Sequence, residues 1–152
     1  MDRTCRIFTD GSAIGNPGPG GWGAVLISGR KRWEMSGVSR WTTIEEMELR
    51  AAAEALRSLP TGTVVELRSD SEYLVYGMRR HVFRWQSQGW RNRRGSELKH
   101  RELWTDLVHL NSRLSIHWKW IKGHNGHPAQ SRADALAYGE AKSLWLTQRI
   151  AA

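Results

Sequence analysis

The chain has 152 residues, 39% of them hydrophobic, which suits one compact domain with a buried core. No run approaches the ~18 continuous apolar residues that cross a bilayer, and no apolar secretory segment opens the sequence, so we expect a cytoplasmic protein without a membrane partner. The single cysteine, Cys5, excludes an internal disulfide or a thiolate metal cluster. The formal net charge of +8 favours a polyanionic partner, and most of it lies in residues 79–101.

The first third of the chain predicts three antiparallel strands in a meander, because apolar and β-branched runs alternate with turn signals. Residues 11–21, GSAIGNPGPGG, hold five glycines and two prolines and indicate a wide hairpin connection. A phosphate-binding P-loop is disfavoured, since it requires a Gly-Lys-Ser/Thr ending and a following helix. The predicted strands are 3–9, 23–28 and 31–38.

The remaining residues predict helices around two further strands. Thr43, followed three residues later by Glu46, is a capping-box signal for a helix that Pro60 and Gly62 end. The resulting order is βββαβαααβα, an α/β fold in which helices flank a five-stranded mixed sheet within one domain, residues 1–152. The later elements are strands at 64–69 and 115–121, and helices at 71–80, 81–88, 99–112 and 131–146.

Two aspartates directly follow predicted strands. Asp10 comes after the first strand and Asp70 after the fourth. Ligands collect at strand ends in helix-covered sheets, because loops diverge there and leave a crevice. Either aspartate alone could instead cap a turn. Side by side, the two negative charges would repel each other unless a cation lay between them.

Two further carboxylates fall on apolar faces of predicted helices. At about 100° per residue, Glu48 and Asp134 each share a side with apolar residues. A charged carboxylate facing a packed side is costly unless it is paired or metal-bound. An ion pair is the alternative for each, but four acids that could converge favour Mg²⁺ or Mn²⁺ over zinc. The apolar neighbours are Met47, Ala51, Ala52, Ala55 and Leu59 in one helix, and Ala137, Tyr138, Ala141 and Trp145 in the other.

Two histidines lie among glycines in the loop KGHNGHP, residues 122–128, just before the last helix. A histidine in a loop is most often solvated, but one beside a metal site could carry a proton or help product leave. The spacing does not distinguish His124 from His127.

In order, spacing and nearly full length, the motifs resemble bacterial type 1 ribonuclease H: TDGS with GNPGPGGWG, TTIEEMEL, RSDSEYL, the basic Trp-containing segment, and KGHNGHP with ADALA. The resemblance implies the ribonuclease H-like fold, with strands 1–3 antiparallel, and a monomer. It implies an endonuclease that hydrolyses the RNA strand of an RNA/DNA hybrid, leaving 3′-hydroxyl and 5′-phosphate ends. Two Mg²⁺ ions would supply the chemistry, with Mn²⁺ as a substitute.

The resemblance also assigns the site. The metal ligands would be Asp10, Glu48, Asp70 and Asp134, with Asp10 bridging the two ions. Glu48 and Asp70 would serve mainly the ion beside the attacking water, and Asp134 the other. His124 becomes the mobile-loop histidine that aids turnover, and His127 a bystander.

The segment 81–101 matches the basic protrusion of the family, which we call the handle and which grips the DNA strand. Its arginines would meet phosphates. Trp85 and Trp90 either face the sugar and base surface or pack the handle internally, and packing is slightly favoured. The remaining tryptophans Trp104, Trp118 and Trp120 are predicted to be core. The handle residues assigned to nucleic acid are Arg84, Trp85, Trp90, Arg91, Arg93, Arg94 and Lys99.

Further nucleic-acid contacts are predicted near the glycine-rich segment and the helix starts. Gly11 and Ser12 would lie nearest the scissile backbone, and Asn16 would offer an amide to the RNA strand in the minor groove. Thr43 and His100 match a pocket for a DNA phosphate, although asparagine is common at the second position. Glu72 stands where a groove-reading glutamine is frequent.

Several positions depart from the family pattern. Ile44 and Glu45 replace two asparagines, Glu46 replaces an arginine, and Gln130 with Ser131 replaces an Asn-Glu pair. Added negative charge near phosphates weakens binding. Two other hypotheses remain: a non-catalytic hybrid or double-stranded RNA binding module, in which four acids without metal would be a cost, and a transposase or integrase core, which would need a partner domain.

Overall fold

The computed structural model describes residues 4–123 and 126–151. Its order of elements confirms the predicted βββαβαααβα pattern. In chain order the elements are β1 Cys5–Ala13, β2 Gly18–Ser28, β3 Lys31–Thr42, α1 Ile44–Arg57, β4 Val64–Ser69, α2 Glu72–Tyr76, a π-helical turn Gly77–His81, α3 Val82–Ser87, α4 Arg101–Arg113, β5 Ser115–Trp120 and α5 Pro128–Ala151.

The five strands form one sheet in the order β3-β2-β1-β4-β5. Strands β1, β2 and β3 pair antiparallel, whereas β4 pairs parallel with both β1 and β5, which confirms the predicted mixed sheet. Because β1, β3, β4 and β5 all run in the same direction, their carboxyl ends lie at one edge. This carboxyl edge also holds the β1–β2 connection and the start of α1.

The glycine-rich segment is mostly strand, so the predicted ends of the first two strands were wrong. Only residues 14–17 connect β1 to β2, and the Asn16–Pro17 peptide is cis. The glycines of β2 serve packing, because a Cβ at Gly23 would lie 2.6 Å from the carbonyl oxygen of Ala133. Helix α5 can therefore lie directly on the backbone of β2.

Both faces of the sheet are packed. Helices α1 and α4 cover a large cluster on one face, in which Trp104 is fully buried. On the other face, α5 packs against Phe8 and Val25. Its contact stripe recurs every four residues and consists of Ala129, Ala133, Ala137 and Ala141, all buried. Small side chains at each turn fix α5 closely over β1 and β2.

Helix α5 and strand β3 extend beyond their predicted ends, from 131–146 to Pro128–Ala151 and from 31–38 to Lys31–Thr42. In the segment 72–87, a π-helical turn replaces the predicted break near residue 80. The turn starts at Gly77, where a Cβ would overlap the indole of Trp104. The close contact fixes the segment that leads into the handle. No helix within residues 4–123 and 126–151 is long and apolar enough to cross a membrane.

Two of the three tryptophans predicted to be core are buried. Trp104 and Trp118 are 0% and 4% exposed, but Trp120 is 37% exposed, so that prediction was wrong. Trp120 is the last residue of β5, an edge strand, and it lies at the carboxyl edge. Its Nε1 donates to the backbone carbonyl oxygen of Asp70 at 3.0 Å. This bond links the end of β5 to the residue that follows β4.

Candidate active site

Three of the four predicted carboxylates meet at the carboxyl edge. Asp10 lies within β1, Glu48 in the second turn of α1, and Asp70 directly after β4. One oxygen from each lies within 4.8 Å of the others. Asp10 does not end its strand as predicted: it pairs with Gly23, but lies two residues beyond the last β1–β4 pair at Phe8. Asp10 therefore lies past the end of the β1–β4 ladder and beside Asp70, which directly follows β4.

Gly11 explains how Glu48 reaches this cluster. A Cβ at Gly11 would lie 2.5 Å from the backbone nitrogen of Glu48 and 2.8 Å from the Cβ of Met47. Only glycine lets β1 pass so close to α1. Thr43 fixes the start of α1 as its N-cap, because its hydroxyl accepts the backbone N–H of Glu46 at 3.2 Å.

The three carboxylates of the cluster lie close together in a largely buried site, which disfavours their ionised forms. Asp10 is 7% and Glu48 5% exposed. Burial raises the pKa of Asp10 to about 7, and the nearby Asp70 and Asp134 carboxylates raise it too, against hydrogen bonds from Glu48 and Gly11. Burial and the charge of Asp10 also raise the pKa of Glu48 well above its usual range. Both carboxyls therefore keep their protons to a higher pH than exposed carboxyls do.

A divalent cation fits this arrangement. Oxygen ligands alone suit hard cations such as Mg²⁺. Within the described residues, Oε2 of Glu48 is buried with no hydrogen-bond partner, and a buried carboxylate oxygen without a partner is costly. A cation at the cluster would satisfy this oxygen and favour the ionised form of both carboxyls, which burial and mutual repulsion disfavour.

Asp134 lies at the rim of the cluster and not in the packed face of α5. It is exposed, and Tyr138 is 52% exposed, so the prediction that these two residues face the packed side was wrong. The alanine stripe through which α5 contacts the sheet is narrow, and Asp134 lies beside this stripe, outside the contact. The side chain of Asp134 nevertheless lies near enough to Asp10 to contribute to the raised pKa of Asp10.

The loop before α5 is described only in part. His124 lies outside the described residues. His127 is half-buried, and its ring stacks on Phe8 with centroids 4.6 Å apart. Its Nδ1 accepts the backbone N–H of Ala129 at 3.2 Å. His127 therefore has a structural role at the start of α5, whereas the resemblance implied only a bystander. Gly123 lies against Asp70, since a Cβ there would be 2.9 Å from the carboxylate.

Residues predicted to contact nucleic acid surround the cluster. Gly11 and Ser12 follow Asp10 in β1 and are half-buried. Asn16 is exposed, but its Oδ1 accepts the backbone N–H of Ile44 at 3.0 Å. Its carbonyl thus helps cap α1, which leaves the NH₂ group as the donor available to a ligand.

A cavity of about 370 Å³ adjoins the start of α4. His100 has left-handed backbone angles there, with φ 61°. Burial lowers the pKa of His100, although the nearby Glu46 carboxylate opposes this shift, so the imidazole is neutral at neutral pH. The lining contains three Glu and two Arg residues, and this excess of negative charge weakens the binding of an anion. It comprises Glu46, Arg50, Glu97, Leu98, His100, Arg101, Glu102 and Leu103.

The handle has a packed base and an exposed tip. Trp85 and Trp90 are half-buried against the core, and the ring centroid of Trp85 lies 5.1 Å from that of Trp104. At the tip, Arg91 donates to the carbonyl oxygen of Gly95 at 2.8 Å. Other residues predicted to bind nucleic acid are exposed: Glu72, Arg84, Arg93, Arg94 and Lys99.

Comparisons with known proteins place these features in a family. The family model described as RNase H matches residues 2–142. Ribonuclease HI of Caulobacter vibrioides is 46% identical over 137 residues, covering 90% of this chain and 92% of its own. Ribonuclease H of Aeromonas salmonicida is 42% identical over 148 residues, covering 97% and 96%.

Two solved structures are also similar. LC9-RNase H1, a type 1 RNase H with the type 2 active-site motif, has a TM-score of 0.84 at 29% identity, covering 95% of this chain and 74% of that one. LC11-RNase H1 in complex with an RNA/DNA hybrid has a TM-score of 0.65 at 25% identity, covering 91% and 97%.

The fold and the clustered carboxylates define an α/β protein with an acidic cluster that could hold a metal ion at the carboxyl edge of its sheet. The chain belongs to the ribonuclease H family, whose members use a divalent metal. The predicted family, fold and enzyme class are confirmed, since its curated relatives are ribonucleases H, which are endoribonuclease hydrolases.

Proposed function

We propose that this protein hydrolyses the RNA strand of an RNA/DNA hybrid, leaving 3′-hydroxyl and 5′-phosphate ends. The observation that carries the proposal is the convergence of Asp10, Glu48 and Asp70 within 4.8 Å in a chain of this family. Residues 1–152 would act as one domain, as a monomer in the cytoplasm.

Two Mg²⁺ ions would be held by Asp10, Glu48, Asp70 and Asp134, with Mn²⁺ as a substitute. When bound, the ions activate the attacking water, neutralise charge at phosphorus and stabilise the leaving oxygen. Asp10 would serve both ions, and its support is that Glu48, Asp70 and Asp134 all influence its pKa. Trp120 keeps Asp70 in position through its backbone carbonyl. His124 would aid product release.

Recognition of the hybrid would use both strands. Gly11, Ser12 and the NH₂ group of Asn16 would face the RNA strand beside the carboxylates. Thr43 and His100 would face a DNA phosphate, and Glu72 would lie along the groove. The carboxylates of Glu46 and Glu97 in the cavity near His100 make this phosphate contact weak, so the handle carries a larger share of the affinity.

Arg93→Ala combined with Arg94→Ala is expected to raise KM for the hybrid several-fold with less change in kcat. The salt slope of binding should fall by about one to two, because each lost phosphate contact contributes about 0.9. Binding titrations at several salt concentrations measure this slope. Arg91 is left intact, because its bond to Gly95 supports the handle tip.

A matched control removes the same charge elsewhere. Arg30→Ala with Lys31→Ala lies at the β2–β3 turn, on the opposite edge of the sheet. It should leave KM and the salt slope near the wild-type values. Equal effects of the two double variants would show that only net charge matters and that the handle is not a contact surface.

The proposed activity is tested with end-labelled RNA/DNA hybrid, double-stranded RNA and double-stranded DNA, each in Mg²⁺ and in EDTA. We expect cleavage of the RNA in the hybrid alone, only with Mg²⁺, and products whose 5′ ends carry phosphate. Intact RNA in the Mg²⁺ reaction overturns the proposal. If the intact hybrid is nevertheless bound, the protein is a non-catalytic binding module.

A further inference from the structure

Helix α5 is tied to β1 immediately before Asp10. Gln130, in the first turn of α5, is 4% exposed, and its Nε2 donates to the carbonyl oxygen of Thr9 at 3.1 Å. One residue earlier in β1, Phe8 stacks on His127, the residue before α5. We call the Gln130–Thr9 and His127–Phe8 contacts the α5–β1 latch.

The latch joins the two segments that carry Asp10 and Asp134. Thr9 directly precedes Asp10, and Gln130 precedes Asp134 by four residues, about one helical turn on the same side of α5. One hydrogen bond therefore fixes a turn of α5 against the peptide that leads into Asp10. Rotation or sliding of α5 would change the distance between the two carboxylates, which lie near enough for Asp134 to affect the pKa of Asp10.

Packing does not explain a glutamine at this position. Within the described residues, Oε1 of Gln130 and Oγ1 of Thr9 are buried without hydrogen-bond partners. Such groups cost stability, and the neighbouring stripe residues Ala129 and Ala133 are apolar. A methionine of similar length would avoid this cost. Polar groups that break the packing pattern at a cost in stability are expected near functional sites.

We propose that Gln130 is a positioning residue that sets the separation of Asp10 and Asp134 through the carbonyl of Thr9. His127 supports it by holding the first turn of α5 on β1. The inference rests on the proposed function, because it takes both aspartates as cation ligands. Gln130 is 4% exposed and would act through the backbone of β1, without direct contact with the cations or the substrate.

The test is Gln130→Met, examined by Mg²⁺ calorimetry without nucleic acid, by thermal unfolding and by hybrid cleavage. We expect a melting temperature close to that of the wild type, because removal of the unpartnered Oε1 offsets the loss of the hydrogen bond to the carbonyl oxygen of Thr9. The Kd for Mg²⁺ should rise by a factor of ~3–10, the range expected from one hydrogen bond. The kcat should fall by a similar factor, with KM for the hybrid within about twofold.

Two further variants sharpen the result. Gln148→Met is the matched control, because Gln148 also donates its Nε2 to a strand carbonyl, that of Arg40, but from the far end of α5. It should leave Mg²⁺ affinity and kcat unchanged. Gln130→Glu replaces the amide donor with an acceptor facing the carbonyl of Thr9, and should weaken Mg²⁺ binding more than Gln130→Met does.

A purely structural role gives a different pattern. Loss of folding or of melting temperature in Gln130→Met, with unchanged Mg²⁺ affinity and kcat in the folded fraction, overturns the proposal, as do equal effects in Gln148→Met. The Mg²⁺ titration is independent of cleavage. A wild-type protein that binds Mg²⁺ but leaves the hybrid intact would overturn the proposed function, while weaker Mg²⁺ binding by Gln130→Met would still support the latch.

Discussion

Asp10→Asn is expected to reduce cleavage of hybrid RNA by about a thousandfold or more, while raising the melting temperature of the metal-free protein at pH 8. Activity falls because the variant lacks the carboxylate proposed to serve both ions, and cation catalysis contributes several kcal/mol at ~1.4 kcal/mol per tenfold. Stability rises because an ionised Asp10 is buried beside Glu48 and Asp70. Single-turnover cleavage and circular dichroism melting measure the two effects.

The pH dependence of this stabilisation has a definite sign. The pKa of Asp10 is raised from 3.8 to about 7, so between these values the folded protein binds more protons than the unfolded chain. The resulting stability is fully present below the unfolded pKa and is lost as pH rises through the folded one. At ~1.4 kcal/mol per pKa unit, Asp10→Asn should gain about 2–4 kcal/mol at pH 8, or roughly 5–10 °C.

The gain should disappear near pH 4, where Asp10 is protonated in the folded wild-type protein. Asp106→Asn is the control, because Asp106 is exposed and pairs only at the surface with Arg57, at 3.3 Å. It should change the melting temperature little at either pH. Equal melting temperatures of the wild-type protein and Asp10→Asn at pH 8 would contradict the raised pKa of Asp10.

Local pattern was sufficient to find the central carboxylates. Glu48 is the clearest case, since helical periodicity alone places it among buried residues and the structure leaves it 5% exposed. Asp10 and Asp70 could be placed at one edge because parallel strands end together. Their side chains meet because Gly11 removes the Cβ that would separate β1 from α1.

The same periodicity failed for Asp134 and Tyr138, because it does not give the width of the contact. Helix α5 packs through alanines on a glycine-containing strand, so only a narrow stripe is buried. The glycines at the start of β2 were wrongly predicted to lie in a hairpin connection, for a related reason. A glycine permits both a turn and a close approach of two backbones, and composition does not distinguish them.

Residues that act over long sequence separations left no local signal. Gln130 bonds to Thr9 across 121 positions, and Trp120 to Asp70 across 50. The sequence showed only that Gln130 departs from the family pair and that Trp120 lies in an apolar pattern. The partner of Trp120 depends on the pairing of β4 with β5, and the partner of Gln130 depends on the packing of α5 against β1. Only the assembled fold defines both arrangements.

The affinity for Mg²⁺ is expected to increase with pH through about 7, with protons released on binding. Cation ligands must be ionised. In the metal-free protein Asp10 has a pKa of about 7, and the pKa of Glu48 is raised well above its usual range. Each displaced proton should change the affinity by up to about tenfold per pH unit. Calorimetry in buffers of different ionisation enthalpy counts these protons.

Glu48→Gln distinguishes the contribution of Glu48 to Mg²⁺ binding from that of Asp10. It should weaken Mg²⁺ binding at every pH and reduce the number of protons released, because one of the two carboxyls with a raised pKa is removed. Glu54→Gln, on the opposite side of α1 and paired with Arg57 at 2.6 Å, should change neither. An affinity that is constant between pH 5.5 and 7.5 would show that both buried carboxyls are already ionised. The protons that stabilise the buried carboxyls are thus also the competitors that the cation must displace, so a site stabilised by protonation binds its metal more tightly as the pH rises.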